Sequence, residues 1–365
     1  MSKEENPLLP KIDCEHLQDY LQNRWYPDAK VTGIHPLGQS TQEGLKDYGY
    51  GRPLQITFDT NGEQKSLVLR TMSPDPFGHE RRADRADVLL QAYDTFHSIP
   101  QHIKPLDVGA FDDKGNLIPM ARGEFYLITE YVDGELYAHD LYRLSQKDEL
   151  QAVDIARAKY LARYLATLHG ETQPPDYYKR ELRDIVGSGE GIFGLCDSYP
   201  RNHPYITPLR LQAIEMAAVR WRWKLKAKSH RIHRTHGDFH PFNLLFRDHC
   251  DMSVLDCSRG GLGDPADDLA ALTINYIFFS LQKHRLFHGA LREVWNIFWH
   301  TYLEETGDTE VLEVIAPYFT WRGLVVASPV WYPNIEDSVR NRIICFIERL
   351  LDGEAFHPDK IDDLL

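Results

Sequence analysis

The side chains best suited to chemistry stand in one short run: His236, Gly237, Asp238, Phe239, His240, Pro241, Phe242 and Asn243. A further carboxylate, Asp256, follows thirteen residues after Asn243. Next comes the run Gly263, Asp264, Pro265, Ala266, Asp267, Asp268, Leu269, Ala270. Phosphoryl transfer needs residues of these kinds. One oxygen must take the proton of an attacking hydroxyl, and hard oxygen ligands must hold Mg²⁺ against the phosphates. Asp238 is suited to orient and deprotonate the hydroxyl, while Asn243 and Asp256 offer amide and carboxylate oxygens to the metal. A His-Gly-Asp tripeptide alone is common, and His236 or His240 alone reads as a core histidine. The order and spacing of the full set give it weight. His236 reads as a residue bracing the loop, and His240 lies beside the base.

The surrounding pattern supplies elements to position that set. Two short strands, 243–246 and 253–256, are joined by a polar turn, so the loop returns through a hairpin with Asp256 at its end. Asp264 and Pro265 open a helix behind it. Upstream, the pattern gives a helix over 14–25 with Asp13 as N-cap and Leu17 and Leu21 on one face. Strands over 54–58 and 66–72 follow, flanking Asn61-Gly62, a pair that tolerates positive φ and so marks a hairpin turn. Residues 81–96 read as a helix burying Ala83, Ala86, Leu89, Leu90 and Tyr93. Residues 125–132 read as a buried strand ending at Asp133-Gly134. A helix over 155–169 stops at Gly170, and another begins near Leu209. Residues 171–207, rich in Gly, Pro and Tyr, read as a long loop of the kind that often carries function. The remainder from Asp267 is mostly helical. The expectation is an α+β chain with a small β-rich lobe over 1–131 and a larger, mainly helical lobe over 132–365. At roughly 100–200 residues per domain, 365 residues fit two such parts.

The HGDxxxxN run, the strand ending in Asp and the GDPxxDLA run together resemble the aminoglycoside phosphotransferase and choline kinase family, a branch of the protein-kinase-like fold. The match is sharpest over about 236–270, and the lobe order extends it over most of the chain. The resemblance implies ATP and Mg²⁺ as cofactors and a small-molecule hydroxyl as acceptor. It implies Asp238 as catalytic base, Asn243 and Asp256 as metal ligands, and Asp268 as a structural brace of the catalytic loop. Family members phosphorylate aminoglycosides, choline, homoserine, thiosugars and fructosamines, or even proteins.

The small lobe carries the nucleotide-binding expectations. Arg70 stands at a strand end where the family usually places a phosphate-steadying Lys, and a guanidinium can grip two phosphate oxygens in a planar fork. Its acidic partner is left among Glu80, Asp84 and Asp87. Thr129, Glu130, Tyr131 and Val132 resemble the hinge that reads adenine, through the Glu130 carbonyl and the Val132 N–H. The segment expected to carry a glycine-rich phosphate loop, 38–44, departs from GxGxxG. Backbone N–H groups with the Ser40 and Thr41 hydroxyls are the candidates there.

Other features read as structure first. Gly187, Gly189 and Gly191 lack the GK[ST] ending of a P-loop and follow no strand. Tyr177, Tyr178, Arg180, Arg183, Asp184, Glu190 and Asp197 around them have the chemistry to hydrogen-bond a polar substrate. Seven Lys and Arg over 220–234 alternate with Trp221 and Trp223, which forms no single basic helix face, so they read as a solvated stretch with snorkelling side chains. Trp295, Trp299, Trp321 and Trp331 read as core, with Trp331 and Tyr332 also placed to line an acceptor pocket.

Composition bounds the rest. Aromatic residues at 12% exceed disordered usage, and a net charge of −13 disfavours a nucleic-acid or anionic-lipid partner. It leans towards a cationic or sugar-like acceptor. Five cysteines without a CxxC pair suggest reduced thiols and a cytoplasmic setting. The polar N-terminus reads as neither signal nor transit peptide. No run nears 18 apolar residues, so no membrane span is expected. The pattern carries no indication of oligomeric state. The leading expectation is a small-molecule kinase. The alternative is a catalytically inactive nucleotide-binding regulator on a kinase-like fold.

Overall fold

The computed structural model describes residues 12–37, 53–125, 127–257 and 261–365. The chain divides into two compact units, Met1–Thr129 and Glu130–Leu365.

The first unit runs α1 (Cys14–Arg24), β1 (Lys30–Pro36), β2 (Leu54–Thr60), β3 (Glu63–Leu69), α2 (Arg82–Phe96), β4 (Gly109–Phe111) and β5 (Leu117–Pro119). Asp13 caps α1 by accepting the His16 N–H at 2.9 Å. Strands β1, β2 and β3 form an antiparallel sheet in that order. The β2–β3 turn is Asn61-Gly62, with φ of +51° and +79°, and Thr60 pairs Glu63 across it. Both residues thus occupy the left-handed region that sharp hairpins require. Leu17 and Leu21 of α1 pack on Ile56 and Phe58 of β2 around Ala29. The α2 helix forms, but its expected apolar face does not bury: Ala83 and Ala86 are exposed and no residue of the helix is fully covered. Two alanines offer too little side chain to anchor a face.

The second unit opens with β6 (Glu135–Leu136), α3 (Tyr137–Lys147), α4 (Ala152–Leu168), α5 (Tyr178–Gly187), α6 (Ile192–Ser198) and α7 (Pro208–Leu225). It continues with β7 (His233–Arg234), β8 (Leu244–Phe246), β9 (Met252–Val254), β10 (Leu262–Gly263) and α8 (Pro265–His284). The chain ends in α9 (Gly289–Thr306), α10 (Val311–Val314), α11 (Ala316–Ala327) and α12 (Asp337–Leu351). Helix α8 is apolar nearly all round, which suits a helix enclosed by others, and sixteen of its twenty residues are buried. It packs against α3, α9 and α11. Trp295, Trp299, Phe319 and Phe356 form an aromatic cluster beside it, with ring centroids 5.2–6.3 Å apart. Fully burying each such side chain is worth about 1.5–3 kcal/mol.

Four sequence expectations are corrected here. Residues 125–132 form no buried strand among the described residues. Phe125, Leu127, Ile128 and Tyr131 lie 60–90% exposed, since no neighbouring strand pairs with them. Residues 171–207 are not a long loop. They fold into α5 and α6 because Tyr178, Leu182, Ile185 and Val186 recur on one helical face and bury together. Residues 220–234 are only partly solvated: the Trp221 indole is buried and donates to the Leu351 carbonyl at 2.8 Å, and Arg231 is buried too. Trp331 is 52% exposed and no part of the core, unlike Trp295, Trp299 and Trp321. No helix among the described residues is long and apolar enough to cross a membrane.

Candidate active site

The second unit holds the loop between β7 and β8. Strand β7 pairs antiparallel with β10, and β8 pairs antiparallel with both β6 and β9. These three short ladders fix both ends of residues 235–243. Gly237 has a φ of +81°, which explains a glycine before the aspartate. Its N–H and that of His236 both donate to the Asp268 carboxylate, at 2.9 and 2.7 Å. The His236 Nδ1 accepts the Asp238 N–H at 3.2 Å, so its proton sits on Nε2 and is donated to the Leu255 carbonyl at 2.9 Å. His236 thus ties the loop to the hairpin. His240 accepts the Phe242 N–H at 3.2 Å and starts the single 3₁₀ turn Pro241–Asn243.

Hydrogen bonds link Asp238, Asn243 and Leu255, the residue before Asp256, at one end of the hairpin. The Asn243 amide donates to the Asp238 carbonyl at 3.0 Å. The Asn243 carbonyl in turn accepts the Leu255 N–H at 2.8 Å, one residue before Asp256. Asp256 lies two residues past β9 with a φ of +52°, a conformation in which Asp is enriched among non-glycine residues. Asp256 is exposed, whereas Asp238 and Asn243 are buried. Among the described residues no group of three His, Cys, Asp or Glu side chains gathers round one point. Mg²⁺ characteristically takes one or two protein oxygens and fills its octahedron with water and phosphate, so an amide plus a carboxylate is a fitting donor pair.

Asp238 is gripped by a residue the motifs do not contain. Arg322 of α11, buried to 5% exposure, donates from Nη1 to Asp238 Oδ1 at 2.6 Å. Its Nη2 donates to the Gly237 carbonyl and to Asp267 Oδ1, each at 2.7 Å. The other oxygen of Asp238 faces His240 Nε2 at 3.7 Å. The sequence signal for Arg322 was its place as the lone cation in an otherwise uncharged helix, APYFTWRGLVVA. The signal for Asp267 was its adjacency to Asp268.

Charge in this layer is set by burial and pairing. Burial pushes the Asp268 carboxyl up, but the His169 hydrogen bond at 3.2 Å and the His236 N–H outweigh it and hold Asp268 below its ordinary value. Asp267 goes the other way: burial outweighs the Arg322 charge and, with Asp268 beside it, lifts Asp267 to about 7. Burial disfavours the Arg322 cation, yet Asp267 and Asp238 hold its pKa above the usual value, so it stays charged. A second layer lies behind. Arg231 forks onto Asp264 at 2.8 Å through two nitrogens, and Tyr178 donates to Asp264 at 3.0 Å. Glu181 accepts from the Tyr318 hydroxyl and the Asp264 N–H, while burial and the Asp264 charge raise its pKa well above normal. Tyr178, weighed as a substrate contact, is thereby committed to the interior.

The remaining sequence candidates fall elsewhere. In the first unit Arg70 is exposed, one residue past β3, and no ion pair joins it to Glu80, Asp84 or Asp87 among the described residues. Ser40 and the rest of 38–44 lie outside the described residues. Glu130 and Val132 sit on the irregular segment ahead of β6, Glu130 exposed and Val132 half-buried.

Residues 55–301 match the family model described as the phosphotransferase enzyme family. No curated protein matches the chain. Solved structures similar to it include a thermostable mutant of an aminoglycoside phosphotransferase, 15% identical, covering 94% of this chain and all of that one at a TM-score of 0.39. The ethanolamine kinase of Plasmodium vivax is 14% identical over 88% of this chain and 83% of its own, at 0.38. A choline kinase of Streptococcus pneumoniae is 14% identical over 96% and 95%, at 0.31. The assignment therefore rests on the family model.

Proposed function

The chain belongs to the phosphotransferase enzyme family, and from that premise we propose that it transfers the γ-phosphoryl group of ATP to a hydroxyl of a small molecule. The observation that supports this reading is the bonded path from Asp238 through Asn243 to Leu255, the residue before Asp256, at a single hairpin end. Asp238 takes the proton of the acceptor hydroxyl. Asn243 and Asp256 hold Mg²⁺, which when bound neutralises charge on the phosphates. His236 and Asp268 brace the loop. Residues 1–131 act as the nucleotide-binding part, with Arg70 and Ser40 on phosphate and the Glu130 carbonyl and Val132 N–H on adenine. Residues 132–365 supply catalysis and the acceptor site. The acceptor is an aminoglycoside-like molecule, a sugar or an amino alcohol, in keeping with the acidic chain.

Calorimetric titration of ATP with and without Mg²⁺, on wild type and Asp256→Asn, tests the nucleotide site. ADP release over a panel of hydroxylated acceptors, on wild type and Asp238→Asn, tests the chemistry. Asp238→Asn should cost roughly 10²–10⁴ in turnover, the usual worth of a general base, while retaining metal-dependent ATP binding. Metal-dependent binding with no turnover on any acceptor would leave a nucleotide-binding regulator. A folded protein that binds no ATP would sink the reading.

A further inference from the structure

Arg322 belongs to no motif, yet it touches the base, the loop backbone and the acidic start of α8 at once. Three features set it apart from a simple core ion pair. First, it is nearly dry, so its charge is costly unless every donor is matched. Second, one carboxylate would satisfy the charge, and Asp267 already lies within 2.7 Å. The guanidinium nevertheless spends Nη1 on Asp238 and half of Nη2 on the Gly237 carbonyl. Third, those two bonds fix different degrees of freedom: the rotamer of the Asp238 side chain and the peptide plane just before it. Only a planar fork can reach all three oxygens together, and an ammonium cannot reproduce it.

We propose that Arg322 is a positioning residue for phosphoryl transfer, holding the Asp238 carboxylate and the Gly237 peptide in one orientation against Asp267. The inference rests on the phosphotransfer reading above. In that reaction the acceptor oxygen forms a bond to Pγ, the bond from Pγ to the bridging oxygen breaks, ADP leaves, and the hydroxyl proton passes to Asp238. Arg322 acts through Asp238, which it bonds at Oδ1. It sets the direction from which Asp238 meets the hydroxyl.

The test uses the full-length chain with Mg-ATP and water as acceptor, reading ADP release, KM for ATP and the melting temperature. Arg322→Lys keeps the charge but loses the fork. It should lower kcat by about 10²-fold, the scale of a 1 Å misplacement, and leave KM for ATP unchanged. Arg322→Ala should regain turnover several-fold in millimolar, sub-denaturing guanidinium, which wild type ignores, because the free cation can re-enter the vacated space. Asp267→Ala gives an independent arm if either variant fails to fold: it leaves the Asp238 contact, removes the Oδ1 acceptor that forms the second anchor, and should lower kcat with KM unmoved. Wild-type kcat in Arg322→Lys or Asp267→Ala overturns the proposal. So does an Arg322→Ala loss that follows melting alone and ignores guanidinium. A wild type that neither binds Mg-ATP nor releases ADP is a different result: it removes the phosphotransfer reading, and the proposal with it.

Discussion

Asp268→Asn is the sharpest test of how the loop is held. The carboxylate is fully buried and accepts three donors: the His236 N–H at 2.7 Å, the Gly237 N–H at 2.9 Å and His169 at 3.2 Å. An asparagine of the same shape has one acceptor oxygen. Placed on Oδ2 it serves His236 and His169, and its NH₂ then faces the Gly237 N–H, donor against donor. An unsatisfied buried donor costs about 1–3 kcal/mol, and breaking a buried charged contact raises the total to about 3–5 kcal/mol. At about 2–4 °C per kcal/mol for a unit of this size, melting should fall by on the order of 10 °C. The assay is calorimetric melting of both proteins from pH 7 down to pH 3. A carboxyl held below its ordinary value gives its stabilisation above the unfolded value of about 3.9 and loses it as pH falls through the folded value. The gap between wild type and variant should therefore be full at pH 7 and close below about pH 4. A gap of under about 2 °C at pH 7, less than a single kcal/mol, or a gap that persists unchanged in acid, would refute the bracing argument.

Gly237→Ala places a Cβ at a φ of +81° and should cost about 1–2 kcal/mol, read as a lower melting temperature together with reduced turnover. Arg231→Met leaves Asp264, which has no exposure, without its forked cation. The expected loss is about 3–5 kcal/mol, seen as a lower urea midpoint at unchanged m-value. Glu181→Gln should be tolerated, since burial already favours the uncharged carboxyl. A group whose folded pKa is raised loses relative stability as pH rises past its unfolded value of about 4.3. The variant should therefore gain on wild type between pH 5 and pH 8, and a constant difference in melting temperature would count against it.

The parts legible in sequence were those whose signal is local. The α+β class, the phosphotransferase family and the Asn61-Gly62 hairpin each depend on residues close in the chain. So does the sequence from β7 through the loop to α8, because turn glycines, caps and short strands write themselves into adjacent letters. What failed depended on partners far away. An apolar run such as 125–132 has the letters of a buried strand, but a strand needs a neighbour to supply its ladder. Residues 171–207 misled in the opposite way, because clustered Gly and Pro suggest a loop while the apolar spacing in 178–186 carries the helix. The role of Arg322 was hidden for a third reason, since its one local signal, a lone cation in an uncharged helix, names no partner. Its meaning comes from Asp238, which lies 84 residues earlier in the chain.

The buried carboxylates around the loop sort themselves by whether each has a cation. Asp264 has one in Arg231, while Asp268 is met by the His169 ring and two backbone N–H groups, and both carboxylates are fixed as acceptors for backbone or helix-start donors. Glu181 faces no such cation at hydrogen-bond range; tyrosine and backbone donors meet one oxygen, while Oε2 stays buried without a partner, which is tolerable only for an uncharged acid. Asp238 and Asp267 differ from all of these because they share one guanidinium. Two carboxylates on one cation leave a surplus negative charge in a dry place, and burial concentrates the penalty on Asp267, which rises to about 7. Asp238 lies nearer the rim, with its side chain at 12% exposure and its Oδ2 3.7 Å from His240 Nε2.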